Sequence, residues 1–593
     1  MRRAMVRLLS AAVLLLSLPA SAHASGWSEL ARTMAAPWPA IQRADGSLPD
    51  YLDAVSGAYG GFPDTRYGNA LTGYALLQTG LREGDARITR AGRRALNFAR
   101  RPGRVWKRPS VFEQLAVAGA YNLARGRPGL ARARARWARW ARGFRTVRLQ
   151  DELGYGNHWL VDAVTVLELR RSGLRSSRPG SIAGGGAATA RRRAVELINV
   201  RIPRMNRAGG GFVLSDPPDY PIAYHGLSLG LYARAVRLLG SRASAAARRV
   251  LREAVRTAAL VTAPNGDSTY FGRSQGQAWP LPGIAYGAEL SARLPGSSRR
   301  DERHAHGVAQ RALARLATAY PVGAGGPLIT PALAQDLAAG ARGLDVYSGA
   351  PAMAGLTLVL LNWTLELGAV ENAPGSLPAD RPLRASISQG AGRFAVVRRG
   401  RTWFAVRMTR SERGTQAGDL RYDAGLALAL ARMAGEWREL VPHRPRRGFA
   451  GPRSAGPLLL DGGPGRFYGD SIRTRGDGSV RVLGEFRRAG GPQPASIVYR
   501  PLPCGVALAF SARRGSAYRL SAFFSSPPRL SRGIGAADAT QQVVASADRV
   551  GLRLVPGTLA SGERAHLWRV DIVLRARSAR RVGARFTAVG CDR

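Results

Sequence analysis

Three short stretches in the first half of the chain concentrate residues able to move protons and bind anions. The first is Gly154-Tyr155-Gly156-Asn157-His158-Trp159, at the start of an expected helix. The second runs from Gly211-Phe212 through Asp216, Asp219 and Tyr220 to Tyr224-His225, opening a helix that also carries Tyr232. The third extends from Pro264-Asn265-Gly266-Asp267 through Tyr270, Gly272-Arg273, Gln275 and Gln277 to Trp279. Each is rich in glycine, which lets backbone approach a ligand closely. Each also sets hydrogen-bond donors beside aromatic rings on which sugars can stack.

Every one of these residues has a plainer use. An Asn at a helix start can be an N-cap, His225 a buried and satisfied imidazole, and Tyr232 a core residue on an apolar face. Trp159 and Trp279 suit a core as well as a sugar platform, while Tyr67, Asn69 and Tyr74 are placed to line the same cleft. Asp216 or Asp219 with Asp267 offers the carboxylate pair of a glycoside hydrolase, although Pro217 and Pro218 make the 216–219 segment a loop. Trp403, Trp437 and His443 read as packing and surface residues.

An Asn leading into aromatics at a helix start, a His and a Tyr on one later helix, and then a Gly-Arg pair together resemble the polysaccharide lyases built on an (α/α) toroid. These are the hyaluronate, chondroitin AC and xanthan lyases, with the heparinase II/III-like and alginate lyase families as cousins. The resemblance implies β-elimination on a uronic acid without a metal or other cofactor. Asn157 would neutralise the uronate carboxylate, His225 and Tyr232 would act as base and acid, and Arg273 would hold the tyrosine or the substrate anion. Trp159, Tyr224, Tyr270, Gln275, Trp279 and Asn69 would contact the sugar. Tyr224 and Tyr270 remain alternatives to Tyr232, Glu289 and Glu152 are candidates for a supporting glutamate, and His158 stands where a second aromatic is expected.

The elements needed to position these groups are readable from periodicity. From Gly26 to Val370 the apolar residues recur with helical period, as in Leu160, Val164 and Leu167, or Leu227, Leu231, Ala235 and Leu238. Segments such as Tyr67–Leu81, Val111–Leu123, Asn157–Leu169, Tyr224–Leu239, Ala245–Leu260 and Ala350–Leu367 give roughly a dozen helices without a repeat signature, which suits a toroid of hairpins. The Pro-rich stretch 371–383 reads as a linker. Beyond it the period becomes two: Phe394–Val406 forms two strands turning near Gly400, and Val480–Phe486 and Leu567–Leu574 are further strands. The expected fold is a helical toroid over 25–370 followed by an antiparallel β-sandwich over 384–593.

Composition sets the setting. Arg2, Arg3 and Arg7, an apolar run over 8–20 and Ala22-His23-Ala24 read as a secretory leader over 1–24. The expected protein is therefore secreted or held in the cell envelope, without a membrane span, and monomeric. Its two cysteines, Cys504 and Cys591, are expected to pair in an oxidising compartment. The seven histidines show no metal-ligand spacing. Formal net charge is +49, three of those charges lying in the leader, and Lys107 is the only lysine. Such a field concentrates polyanions. No nucleic-acid-binding motif accompanies it, so an acidic polysaccharide is the expected partner. The rival readings are a glycoside hydrolase on the same toroid and a non-catalytic envelope protein that binds acidic polymers.

Overall fold

Two kinds of helix alternate along the first half of the chain. The computed structural model describes residues 26–49, 67–99, 110–146, 148–149, 156–208, 223–270, 276–320, 350–368, 371–387, 393–408, 425–441, 458–461, 465–487, 491–524, 526–531, 535–555, 568–578 and 581–591. Among them the main helices are α1 (Trp27–Ala35), α2 (Gly68–Glu83), α3 (Ala86–Ala99), α4 (Val111–Leu123), α5 (Ala131–Ala141) and α6 (Asn157–Ser172). They continue with α7 (Ala187–Glu196), α8 (Ala223–Leu239), α9 (Ala245–Val261), α10 (Pro280–Ala292), α11 (Arg299–Ala319) and α12 (Ala350–Leu365).

The even-numbered helices are apolar around nearly their whole circumference. Every residue of α2 from Gly68 to Gly80 is buried, as is every residue of α4 from Val111 to Tyr121. The odd-numbered helices bury one stripe, such as Ile88, Ala91, Ala95 and Leu96 in α3, or Val250, Leu251, Ala254 and Ala258 in α9. A helix with one apolar stripe can face water, whereas one apolar all round must be enclosed. The pattern therefore requires an inner and an outer layer. The inner helices close a ring in which α2, α4, α6, α8, α10 and α12 each pack on the next and α12 returns to α2, while each outer helix covers an adjacent inner one.

Side-chain contacts show that the inner helices run parallel. Thr72 and Thr79 of α2 bond to Pro351 and Asn362 of α12, early residue to early and late to late. Phe112 and Asn122 of α4 likewise meet His158 and Glu168 of α6. Helices α8 and α10 touch backbone to backbone, since a Cβ on Gly283 would lie 2.3 Å from the Gly226 carbonyl oxygen. All six N-termini consequently open on one rim of the ring.

Near the opposite end a buried ion network ties the ring together. Arg234 of α8 donates to Glu168 of α6 at 2.6 Å and to Glu366, just past α12, at 2.6 Å. Asn122 of α4 donates to Glu168 at 2.7 Å, and Gln78 of α2 to Glu366 at 3.2 Å. The Arg234 guanidinium also lies 4.9 Å from the centre of the Trp363 ring.

The stretch after α12 is strapped to the helices. Glu371 accepts from the Trp27 amide at 2.5 Å, and Gln310 donates to the carbonyls of Glu371 and Ala373 at 2.9 and 2.6 Å. It leads into an antiparallel five-stranded sheet of β1 (Leu383–Ile387), β2 (Arg393–Arg399), β3 (Thr402–Met408), β4 (Gly425–Met433) and β5 (Glu436–Val441), paired in that order. Gly400, at φ 56°, makes the turn between β2 and β3. Alternation sends Phe394, Val396, Trp403, Ala405, Leu428 and Leu430 into the toroid core and Val397, Phe404, Val406, Ala429 and Ala431 into a second core. That second core belongs to a twelve-stranded antiparallel sheet, counted among the described residues, between Leu458 and Ala588. The expected antiparallel β-sandwich is present, with its smaller sheet wedged against the helices.

Cys504 and Cys591 are paired across 5.9 Å between their Cα atoms, fastening the end of the chain beside the pairing of Gly505–Ser511 with Arg581–Ala588. Among the described residues no helix is long and apolar enough to cross a membrane. The expected leader, residues 1–24, lies outside the described residues.

Replacing Arg234 with Met would leave Glu168 buried without its cation, and breaking a buried pair in this way costs about 3–5 kcal/mol. Urea denaturation followed by circular dichroism should show a loss of that size. A change under ~1 kcal/mol would mean that the network does not hold the ring.

Candidate active site

The rim formed by the inner-helix N-termini gathers the first two sequence stretches. Asn157 is the first residue of α6, behind Gly156 in extended conformation at φ 176°. It keeps 7 % exposure, whereas the neighbouring His158 is exposed and Trp159 half-buried. Asp162, little more than a turn below, accepts from the amides of Arg148 and Leu149 at 2.7 and 3.3 Å and so anchors the preceding loop. This places the exposed Arg148 guanidinium 5.6 Å from the Trp159 ring centre. On the other side the His158 ring meets Phe112 edge-on at 5.8 Å, and Phe112 stacks on Tyr67 at 5.0 Å. Tyr67, Phe112 and His158 thus form one run of ring contacts, and Arg148 with Trp159 a second, at the start of the helix that Asn157 opens.

Helix α8 brings Tyr224 to the same level. Glu168 and Arg234 are in contact, so stepping back eleven residues along α6 and ten along α8, roughly 16 and 15 Å at helical rise, returns Asn157 and Tyr224 to one height. Tyr224 meets the Trp279 ring edge-on at 5.3 Å, and Trp279 stands immediately before Pro280, the first residue of α10.

Several expected roles are corrected. His225 and Tyr232 do share one face of α8, as their seven-residue spacing requires, but that face is turned outward onto α9. His225 is 1 % exposed and its Nε2 lies 3.0 Å from the Ala254 carbonyl. Tyr232 is fully buried, its hydroxyl 3.2 Å from both the Ile198 and Ala247 carbonyls. Both residues are seam residues between inner and outer layers. Tyr270 also faces away from the rim: its hydroxyl donates to the Val261 carbonyl at 2.8 Å and its ring packs edge-on at 5.7 Å against Trp403 of β3. Asn69 is buried and accepts from the Leu48 amide at 2.8 Å, a packing role. Trp279 is buried at 2 % exposure, supporting Tyr224 rather than offering an open platform. Glu289 is fully buried between Arg293, at 2.7 Å, and His306, at 2.9 Å. Arg273, Gln275, Asp216, Asp219, Glu152 and His443 lie outside the described residues.

Asp267 bears on the hydrolase reading. It is 1 % exposed, and its Oδ1 accepts from the Thr269 amide and hydroxyl at 2.7 and 3.0 Å. Its other oxygen lies 3.8 Å from Arg315, which binds Glu439 of β5 at 2.8 Å. This carboxylate braces the loop against the first sheet and has no open face for a glycosidic bond.

The residues that sequence reasoning passed over are His158, taken as a departure from an aromatic position, and Arg148. The signal for His158 was adjacency to Asn157 at a helix start, where exposed side chains face the rim. Arg148 carried no signal among so many arginines.

Burial pushes the His225 pKa down to about 4, the hydrogen bond to Ala254 offsetting only part of this. An unfolded chain takes up that proton near pH 6.5. The unfolded state therefore binds more protons between those values, and the native state loses about 3 kcal/mol as pH falls from about 6.5 to 4, with no further change below. Urea midpoints measured across this range should show the slope in the wild type and a flatter one in His225→Gln. Equal slopes in both would remove His225 as its origin.

No family model and no curated protein matches the sequence. Among solved structures the chain is similar to heparinase III, with a TM-score of 0.51, 11% identity, and coverage of 97% of this chain and 86% of that one. A chondroitin AC lyase from Streptomyces coelicolor A3 gives 0.46, 12%, 96% and 80%. A heparan sulfate lyase from Pedobacter heparinus gives 0.44, 12%, 96% and 84%. The toroid followed by antiparallel sheets is thus the fold of heparinase III, a polysaccharide lyase fold, over nearly the whole chain.

Proposed function

We propose that the protein is a secreted polysaccharide lyase that cleaves a uronate-containing acidic polymer by β-elimination at the rim of the toroid. The observation that carries this reading is the exposed His158 beside Asn157, facing a ring of helix N-termini and standing level with Tyr224. A uronic acid holds a weakly acidic proton on C5, next to its carboxylate. Taking it places a second negative charge on the carboxyl group, which must first be stabilised. The Asn157 amide N–H groups and the helix N-termini supply that stabilisation where the charge develops. Arg148 holds a neighbouring anion on the polymer. No metal enters this route.

The proton steps divide between two groups. His158 takes the C5 proton, the C4–O bond breaks as the C4–C5 double bond forms, and Tyr224 gives its hydroxyl proton to the departing glycosidic oxygen. Tyr224, 6 % exposed, is preferred over Tyr232 and Tyr270 because it stands level with Asn157 near the rim, whereas Tyr232 faces α9 and Tyr270 packs on Trp403. The heparinase III fold supports the reading only as an analogy of scaffold, since one fold hosts many chemistries. The leader over 1–24 would deliver the protein outside the cytoplasm, where such polymers occur.

The hydrolase reading is weakened by the commitment of Asp267. The binder reading differs in outcome. Uronate polymers incubated with the protein should yield products absorbing in the near ultraviolet, from the new double bond. His158→Ala, Asn157→Ala and Tyr224→Phe should each lower that rate by about 10²–10⁴-fold with circular dichroism unchanged, whereas Tyr232→Phe should leave it within a few-fold. Reducing ends without absorbance would establish hydrolysis instead. Full activity in His158→Ala would refute the assignment of the base.

A further inference from the structure

We infer that the toroid carries a second, non-catalytic binding groove for an acidic saccharide at the end opposite the rim. A cavity of about 590 Å³ lies where the C-terminal turn of α2, the first turns of α3 and the connection between α4 and α5 meet. Leu81, Pro128 and Leu130 supply apolar surface, and Arg90, Arg93 and Arg127 supply charge. Among the described residues no carboxylate lines it. The two acids nearest in sequence are committed elsewhere: Glu83 to Arg82 and Ser28 at 2.8 and 3.1 Å, and Asp85 to the Ile88 amide at 2.9 Å.

These three arginines differ from others at the same end. Inner helices end there with carbonyl groups unsatisfied by their own helix, and arginines commonly serve them. Arg125 donates to the Arg171 carbonyl at 2.7 Å, Arg237 to Glu366 at 3.2 Å and Arg293 to Gly368 at 3.2 Å. Arg90, Arg93 and Arg127 make no side-chain hydrogen bond or ion pair among the described residues. They are therefore available to an external anion, and three cations around a concave apolar floor fit one poorly matched by a flat surface.

The chemistry selects the ligand. Guanidinium groups bind carboxylate or sulfate in paired hydrogen bonds. The partly exposed Thr89 side chain also lines the cavity, and its hydroxyl can exchange hydrogen bonds with the hydroxyl groups of a ligand. A molecule that joins anions to hydroxyl donors and has apolar C–H faces satisfies all three, and an anionic saccharide is that molecule. The groove lies on the order of 20 Å from the rim, the length of α2 at helical rise. A long polymer could occupy both places at once and gain effective concentration. The groove does not depend on elimination chemistry at the rim.

The test compares two triple variants of equal charge. Arg90→Ser/Arg93→Ser/Arg127→Ser empties the groove, and Arg191→Ser/Arg192→Ser/Arg299→Ser removes three cations elsewhere on the outer helices. Binding of a fluorescent polygalacturonate decamer is measured by anisotropy at fixed ionic strength, with circular dichroism as a check of folding. The groove variant should bind about tenfold more weakly than wild type, and the control should change less than twofold. Turnover of a uronate trisaccharide, too short to reach from groove to rim, reports on the rim alone. Equal weakening in both variants would show that only the overall charge attracts the polymer, and unchanged binding in the groove variant would show that the cavity is not used; either result overturns the inference.

Discussion

The structure depends on closing a ring of helices around an ion network that no single hairpin could bury. Arg234 stands between Glu168 and Glu366, and residues from every inner helix reach this cluster. Tyr74 and Gln78 come from α2 and Asn122 from α4, while Trp363 of α12 packs on the guanidinium and Tyr286 of α10 lies 5.8 Å from the Trp363 ring. Burial opposes a charged Arg234, yet the two glutamates outweigh it and keep the side chain firmly protonated. A charge in this position is unfavourable in any partly assembled ring, because its partners arrive from helices far apart in sequence. The network therefore selects the closed arrangement over alternatives that bury the same apolar area. Closure in turn fixes the heights of the inner helices, and with them the positions of Asn157 and Tyr224 on the rim.

The β half contributes by bracing. The first sheet is buried on both faces because Trp403 and its neighbours fill the toroid core while Phe404 and its neighbours fill the second. Tyr270 against Trp403, and Arg315 between Asp267 and Glu439, hold the loop after α9 to that sheet. That loop leads into Trp279, which backs Tyr224. A chain of buried contacts thus runs from the sheet to the rim. Residues that sequence alone would assign to sugar binding instead set the stiffness of the site.

What was legible in the sequence follows from this division. The change of period from helical to alternating near Phe394 marks the change of fold, and Gly400 marks a hairpin, because both are local signals. The cysteine pair was legible from compartment and count. The face turned to the rim was not, because inner helices are apolar all round and their periodicity cannot say which side faces the lumen. Seven residues separate His225 from Tyr232, and that spacing correctly put them on one face. Only the packing of α9, at Ala254 and Ala247, shows that the face points outward. His158 shows the reverse: its sequence marks only a departure from an aromatic position, and its exposure at the rim is visible in the packing of the ring alone.

The parallel inner helices also account for part of the excess of arginine. With six N-termini at one end, backbone dipoles sum to a positive rim and a negative far end. Among the described residues Arg148 over Trp159 is a cation that stands at the rim. The far end needs many, and Arg125, Arg237 and Arg293 cap its carbonyls. Arginine suits this work because its planar fork reaches several carbonyls while staying charged. The buried ion network and the rim are in this way placed at opposite ends of the same helices, so that His158 is exposed beside a buried Asn157 while Arg234 and Glu168, which hold the helices level, stay buried.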